Sequence, residues 1–118
     1  MRLRHLALAV TDEQRSREFY ERWFEFGVEP PRRMSDGVLM LYGPGDVSLA
    51  LGPSEGRPAL PAFLHFGFNF EAPEPVRELR DAFEAAGVEI VEFWDEPDYV
   101  SVKVRDPDGY VVESAWEP

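Results

Sequence analysis

The stretch Phe63-Leu64-His65-Phe66-Gly67-Phe68-Asn69-Phe70, "FLHFGFNF", decides how the chain is read. In a strand, side chains point alternately to opposite faces. Phe66, Phe68 and Phe70 therefore share an apolar face, and His65, Gly67 and Asn69 share the other. A histidine on an otherwise apolar strand is most simply a satisfied strand residue, so the rest of the chain must say whether this one does more.

Sliding the chain over itself answers part of that question. At an offset of 60, His5 falls on His65, Arg17-Glu18 on Arg77-Glu78, and Gly27-Val28-Glu29 on Gly87-Val88-Glu89. The only two histidines of the chain thus occupy one position used twice. Both strands, "HLALAV" and "HFGFNF", precede a helical pattern. In the first, Thr11 with Gln14 suggests a capping box, Phe19 and Trp23 an apolar stripe, and Gly27 a stop. In the second, the helix is expected from near Pro75, with Val76, Leu79 and Phe83 as its stripe and Gly87 as its stop. Extended segments follow near residues 38–42 and 46–51 in the first half and 88–94, 99–105 and 110–116 in the second, with a shorter one around 28–34. The repeating unit is βαβββ.

Between the halves, Gly52 to Pro61 is dense in Gly and Pro and is expected to end regular structure. The organisation that follows is one domain, residues 1–118, with a first module over 1–52, a linker over 53–61 and a second module over 62–118. Late in each half the offset becomes 63, so that Gly43–Ala50 falls on Asp106–Glu113 and Ala50 is the counterpart of Glu113. Asp106-Pro107-Asp108-Gly109 is a turn signal. After it, Val111, Glu113 and Ala115 share one strand face. In "YVSVKVRDPDG", Tyr99, Ser101, Lys103 and Arg105 likewise share a polar face, opposite Val100, Val102 and Val104.

Composition narrows the function classes. The 118 residues carry no cysteine, so thiolate metal sites, thiol nucleophiles and disulfides are excluded, and any metal must use His and carboxylate ligands. A formal net charge of -11 disfavours nucleic acid and acidic membrane surfaces as partners. Met1 opens directly on a strand-like pattern, and no apolar run approaches the roughly 18 residues of a membrane span. A soluble, cytoplasmic protein is expected.

"RHLALAV" followed by the Phe-Tyr helix "SREFYERWFEFG", then the "LHFGF" strand and "DPDGYVVE", in this order and spacing, resembles the vicinal oxygen chelate superfamily. That superfamily includes glyoxalase I, fosfomycin-resistance thiol transferases, extradiol dioxygenases and bleomycin-resistance proteins. The resemblance implies an α+β fold of two βαβββ modules forming a curved, open mixed sheet around a cavity, with helices on the outer face. It implies that His5, His65 and Glu113 are ligands of a divalent metal ion (Fe, Mn, Ni, Co or Zn), with Ala50 where glyoxalase I has a fourth ligand. Two imidazoles and one carboxylate leave sites open for water and a chelating small-molecule substrate.

Around that set, Lys103 is the only lysine beside eleven arginines. On the cavity face it is expected to hold an anionic group or act as a base; on an exposed edge it would merely discourage aggregation. Asn69, Tyr99 and Ser101 are further candidates for substrate contact, and Glu113 for proton transfer besides coordination. Asp95, Glu96 and Asp98 beside Trp94 read as an acidic loop, which is usually only solvated surface. The expected function is a small metal-dependent enzyme of glyoxalase-like, thiol-transferase or dioxygenase chemistry. The alternative is a metal-free, bleomycin-resistance-type protein that sequesters a cationic drug. Family members of this length commonly pair modules in a homodimer, so a dimer, with its modules paired within one chain or swapped between chains, is expected as the working unit.

Overall fold

A computed structural model describes all residues, Met1–Pro118. It divides into two compact units, Met1–Ala59 and Leu60–Pro118. Unit 1 contains β1 (His5–Val10), α1 (Glu13–Phe24), β2 (Glu29–Arg33), β3 (Leu39–Gly43) and β4 (Val47–Pro53). Unit 2 repeats the order with β5 (His65–Asn69), α2 (Pro73–Ala85), β6 (Ile90–Glu96), β7 (Tyr99–Arg105) and β8 (Val111–Trp116). Each unit carries its own four-stranded mixed sheet, in the order β1-β4-β3-β2 or β5-β8-β7-β6, with the first pair parallel and the others antiparallel.

The strand registers reproduce the sequence repeat residue for residue. Ala7 lies opposite Ala50 in unit 1, and Gly67 lies opposite Glu113 in unit 2. Met40 lies opposite Ala50, as Lys103 lies opposite Glu113.

In unit 1 the core is Leu8, Val10, Leu39, Leu41, Leu49 and Leu51 beneath Tyr20, Phe24 and Phe26, each removing an apolar surface worth roughly 1.5–3 kcal/mol. Ser16, Tyr20 and Phe24 form the buried line of α1. Phe19 and Trp23, expected to be the stripe, are only half-buried and flank it; the Phe19 ring meets Tyr20 edge-on at 5.1 Å. The cap also lies one residue later than expected. Asp12, not Thr11, is the N-cap, its carboxylate accepting from the Arg15 amide at 3.1 Å, while Gln14 donates to Glu18. An Asp cap is favoured because it satisfies an unpaired amide and complements the helix dipole. The helix ends at Phe24 with Glu25 left-handed (φ 58°), two residues ahead of Gly27.

In unit 2, α2 packs across β6, β7 and β8 through Val76 and Phe83, onto Val100, Val102, Val104 and Val112. It starts at Pro73 rather than near Pro75, since prolines are tolerated in a first turn whose amides have no partner in the helix. Phe66 and Phe68, on the helix side of β5, contact each other edge-on at 6.1 Å and are half-buried.

Two further boundaries differ from the expectation. β4 runs on through Gly52 and Pro53, because Pro53 closes the strand, where its missing amide costs no ladder bond; the Ser54 amide resumes pairing to Val10. Of the acidic segment only Asp98 lies in the turn: β6 extends to Glu96 in a hairpin with β7, and Asp95 is held by Arg77 at 2.9–3.2 Å. The turn before β8 forms as expected, with Asp106 Oδ1 accepting from the amides of Asp108 and Tyr110, both at 2.9 Å, and Gly109 left-handed (φ 94°).

Candidate functional site

The polar face of the unit 2 sheet brings together His65, Tyr99, Ser101, Lys103 and Glu113, drawn from three adjacent strands. Glu113 stands at its centre, and the strand opposite explains why it has room. A side chain at Gly67 would put its Cβ 2.9 Å from the Glu113 carbonyl oxygen and 3.0 Å from the Glu113 Cβ, closer than packed atoms tolerate. Gly67 thus permits the close approach of β5 to the carboxylate-bearing residue.

The two carboxylate oxygens of Glu113 have different surroundings. Oε1 accepts from the Tyr99 hydroxyl at 2.5 Å and from the Ser101 hydroxyl at 2.6 Å. Oε2 faces His65 Nε2 at 3.4 Å. Burial, the strongest influence on Glu113, raises its pKa; the Ser101 and Tyr99 hydroxyls, with the charges of Lys103 and His65, outweigh burial and hold it below the usual carboxylate value. In return, the bond to Glu113 keeps the Tyr99 hydroxyl protonated to higher pH than a free tyrosine.

His65 is oriented from behind. Its Nδ1 lies 2.8 Å from the Phe63 carbonyl, which can only accept, so Nδ1 carries a hydrogen and Nε2 is the ring nitrogen turned toward Glu113. Phe63 itself is left-handed (φ 69°) and exposed, and its ring meets His65 edge-on at 5.1 Å. The Lys103 ammonium lies 5.6 Å from the centre of the same ring. It is also 3.3 Å from Glu92, whose other partner is the Trp94 indole N–H. Lys103 is therefore a mostly buried, paired cation, not a free one on an exposed edge. Phe63, His65, Glu92, Lys103 and Arg105 contribute to the wall of a cavity of about 310 Å³.

The donor chemistry of the His65–Glu113 pair fits a divalent ion. An imidazole nitrogen and a carboxylate oxygen turned toward each other can share one cation, either a proton or a metal. Two ligand atoms each about 2.1 Å from one ion, at octahedral or tetrahedral angles, are about 3.0–3.4 Å apart. The observed 3.4 Å matches that span. No group of three His, Cys, Asp or Glu side chains is assembled in the chain. His5 belongs to unit 1, exposed at the start of β1, beside Arg4 and Ser48 in a cavity of about 700 Å³. Asn69 is exposed at the end of β5, on the face of His65.

Three participants were not singled out in the sequence. A glycine inside a strand pattern signals a close backbone approach, so Gly67 was discoverable. Glu92 was obscured by the irregular register between Ile90 and Glu92, which breaks the alternation along β6. Nothing local marks Phe63, because its role depends on its backbone carbonyl.

The family model for the glyoxalase/bleomycin resistance protein/dioxygenase superfamily matches residues 2–114. The chain belongs to that superfamily. No curated protein sequence matches. Among solved structures, the genomically encoded fosfomycin resistance protein FosX from Listeria monocytogenes superposes with a TM-score of 0.80 at 17% identity, covering 100% of this chain and 94% of that one. Lactoylglutathione lyase from Agrobacterium tumefaciens gives 0.73 at 23% identity, over 98% of this chain and 92% of that one. A second crystal structure of the Listeria protein, complexed with Mn(II) and a sulfate ion, gives 0.75 at 18% identity, over 98% and 92%. At these identities the superfamily fold is what the structures share. No helix of this superfamily member is long and apolar enough to cross a membrane.

Proposed function

We propose that this protein is a metal-dependent enzyme of its superfamily, with His65 Nε2 and Glu113 Oε2 as two ligands of a divalent ion. The observation that carries the reading is the His65–Glu113 pair, two ligand atoms 3.4 Å apart with their remaining polar atoms already engaged by Phe63, Tyr99 and Ser101. The third ligand is proposed to be His5; its support is the repeat, which gives it the strand position of His65, together with the family resemblance. When bound, the ion would act as a Lewis acid toward two neighbouring oxygens of a small substrate.

The chain's own residues divide the remaining work. Phe63 fixes the imidazole tautomer, and Lys103 supplies positive charge beside Glu113, where an anionic group would gain most. Glu113, kept ionised by its neighbours, is the residue that takes a proton if it leaves coordination. Asn69 is proposed as a substrate contact from its place on the His65 face. The working unit is proposed to be a homodimer, supported by the exposed Phe93 and Trp94 on β6, an edge strand of its sheet. Mixing His5→Ala and Glu113→Ala chains would restore activity if dimer modules are exchanged.

The test is purification without chelator, elemental analysis, and an activity screen over 2-oxoaldehyde hemithioacetals, fosfomycin and catechols. The reading expects close to one equivalent of a divalent transition metal and turnover that chelator abolishes. Turnover undiminished by complete metal removal would overturn it.

A further inference from the structure

We propose that Tyr99 and Ser101 are positioning residues that restrict Glu113 to a one-oxygen bond and thereby set which divalent ion the site prefers. The inference rests on the metal reading above and goes beyond it. An ionised carboxylate has two oxygens with about four lone-pair positions. On Glu113, both hydroxyl donors converge on Oε1, at 2.5 and 2.6 Å, and neither approaches Oε2 as a partner. Oε1 is saturated and Oε2 alone is left.

The arrangement is built into the sheet. Tyr99 and Ser101 are alternate residues of β7, so their side chains share a face, and Glu113 projects from the neighbouring strand opposite Lys103. Ser101 is 1% exposed, which fixes its hydroxyl in place. Tyr99 reaches the same oxygen through its longer side chain. Both hydroxyl hydrogens are committed to Glu113, which leaves only the oxygen lone pairs of these residues for a substrate.

Ion selectivity follows from coordination chemistry. A large, flexible ion such as Ca²⁺ readily takes a carboxylate through both oxygens, whereas smaller ions take one oxygen at a fixed short distance. Hydroxyls that engage Oε1 therefore penalise the first mode and pre-orient the second. A purely structural role, satisfying a buried carboxylate, would change stability and leave ion preference untouched.

The experiment compares Mn(II) and Ca(II) affinities of the full chain, by competition with a chelating dye, for the wild type, the Tyr99→Phe/Ser101→Ala double variant and Ser101→Thr. In the double variant, Mn(II) affinity is expected to fall about 10 to 100-fold, the range for loss of groups that orient ligands. Ca(II) affinity should fall by a smaller factor or rise, so the Mn/Ca ratio drops. Ser101→Thr keeps a hydroxyl and should keep the wild-type ratio. A folded double variant with an unchanged ratio would overturn the positioning role while leaving the metal reading standing. A wild type that binds no Mn(II) would overturn the metal reading and this inference with it. If the double variant does not fold, Ser101→Ala alone decides, with a smaller drop of the ratio expected and an unchanged ratio contradicting the proposal.

Discussion

The two units share strand order and register but differ in the chemistry of one sheet face. In unit 1 the residues at the centre of that face are Ala7, Met40 and Ala50; in unit 2 the same register positions hold Gly67, Lys103 and Glu113. Val38 likewise precedes β3 at the repeat position of Ser101. A carboxylate can stand at residue 113 because a glycine opposite makes space and two hydroxyls supply hydrogen bonds. The difference teaches that the backbone repeat is kept by the apolar faces, which are similar in both units, while the polar face is free to diverge.

The sharpest way to break the comparison is to give unit 2 the small residue of unit 1. In Gly67→Ala the new Cβ meets the backbone and Cβ of Glu113, and overpacking of this kind costs typically about 1–3 kcal/mol. Thermal or urea unfolding is expected to show that loss, together with weakened Mn(II) binding as Glu113 is displaced. The mirror substitution Ala7→Gly should leave metal binding unchanged.

A second prediction concerns pH. The folded-state pKa of Glu113 is depressed, so its contribution to stability is complete above the unfolded value, about 4.3, and is lost as pH falls through the lower folded value. Stability measured against pH should therefore fall less steeply on the acid side in Glu113→Gln than in the wild type. Identical acid limbs would contradict the assignment. In Ala50→Glu the introduced carboxyl, opposite Met40 and without the hydroxyls of Tyr99 and Ser101, is expected to titrate above Glu113 in an NMR titration.

The smallest effect is expected on the helix side of β8. Ser114, 1% exposed, has a buried hydroxyl without a hydrogen-bond partner, where the repeat position in unit 1 is the fully buried Leu51. An unpaired buried hydroxyl costs about 1–3 kcal/mol, partly offset here by the cavity its removal leaves. Ser114→Ala is expected to be neutral or to stabilise by up to about 1 kcal/mol in urea unfolding.

How legible this was from the sequence depended on whether a feature is periodic. The strands and the βαβββ repeat follow from alternation, and the constant offsets of 60 and 63 already contain the observed registers. The grouping of Tyr99, Ser101 and Lys103 on one face was readable for the same reason. Their targets were not. The Tyr99 and Ser101 hydroxyls are bonded to Glu113 across the regular β7–β8 pair, a choice of partner that alternation alone does not express, and Lys103 is bonded to Glu92 across the β6–β7 hairpin, whose irregularity near Glu92 leaves no mark in the sequence. Helix ends shifted by one to three residues, since Asp12 and Pro73 compete successfully with their neighbours for the first turn.

The central claim is that His65 and Glu113 hold one divalent ion, and calorimetric titration of Mn(II) into chelator-stripped protein tests it most directly. The wild type should bind close to one equivalent per chain, and His65→Ala and Glu113→Gln, each folded by circular dichroism, should each bind at least about 100-fold more weakly, beyond the usual cost of losing an orienting group. Undiminished, stoichiometric binding in either variant would contradict the account.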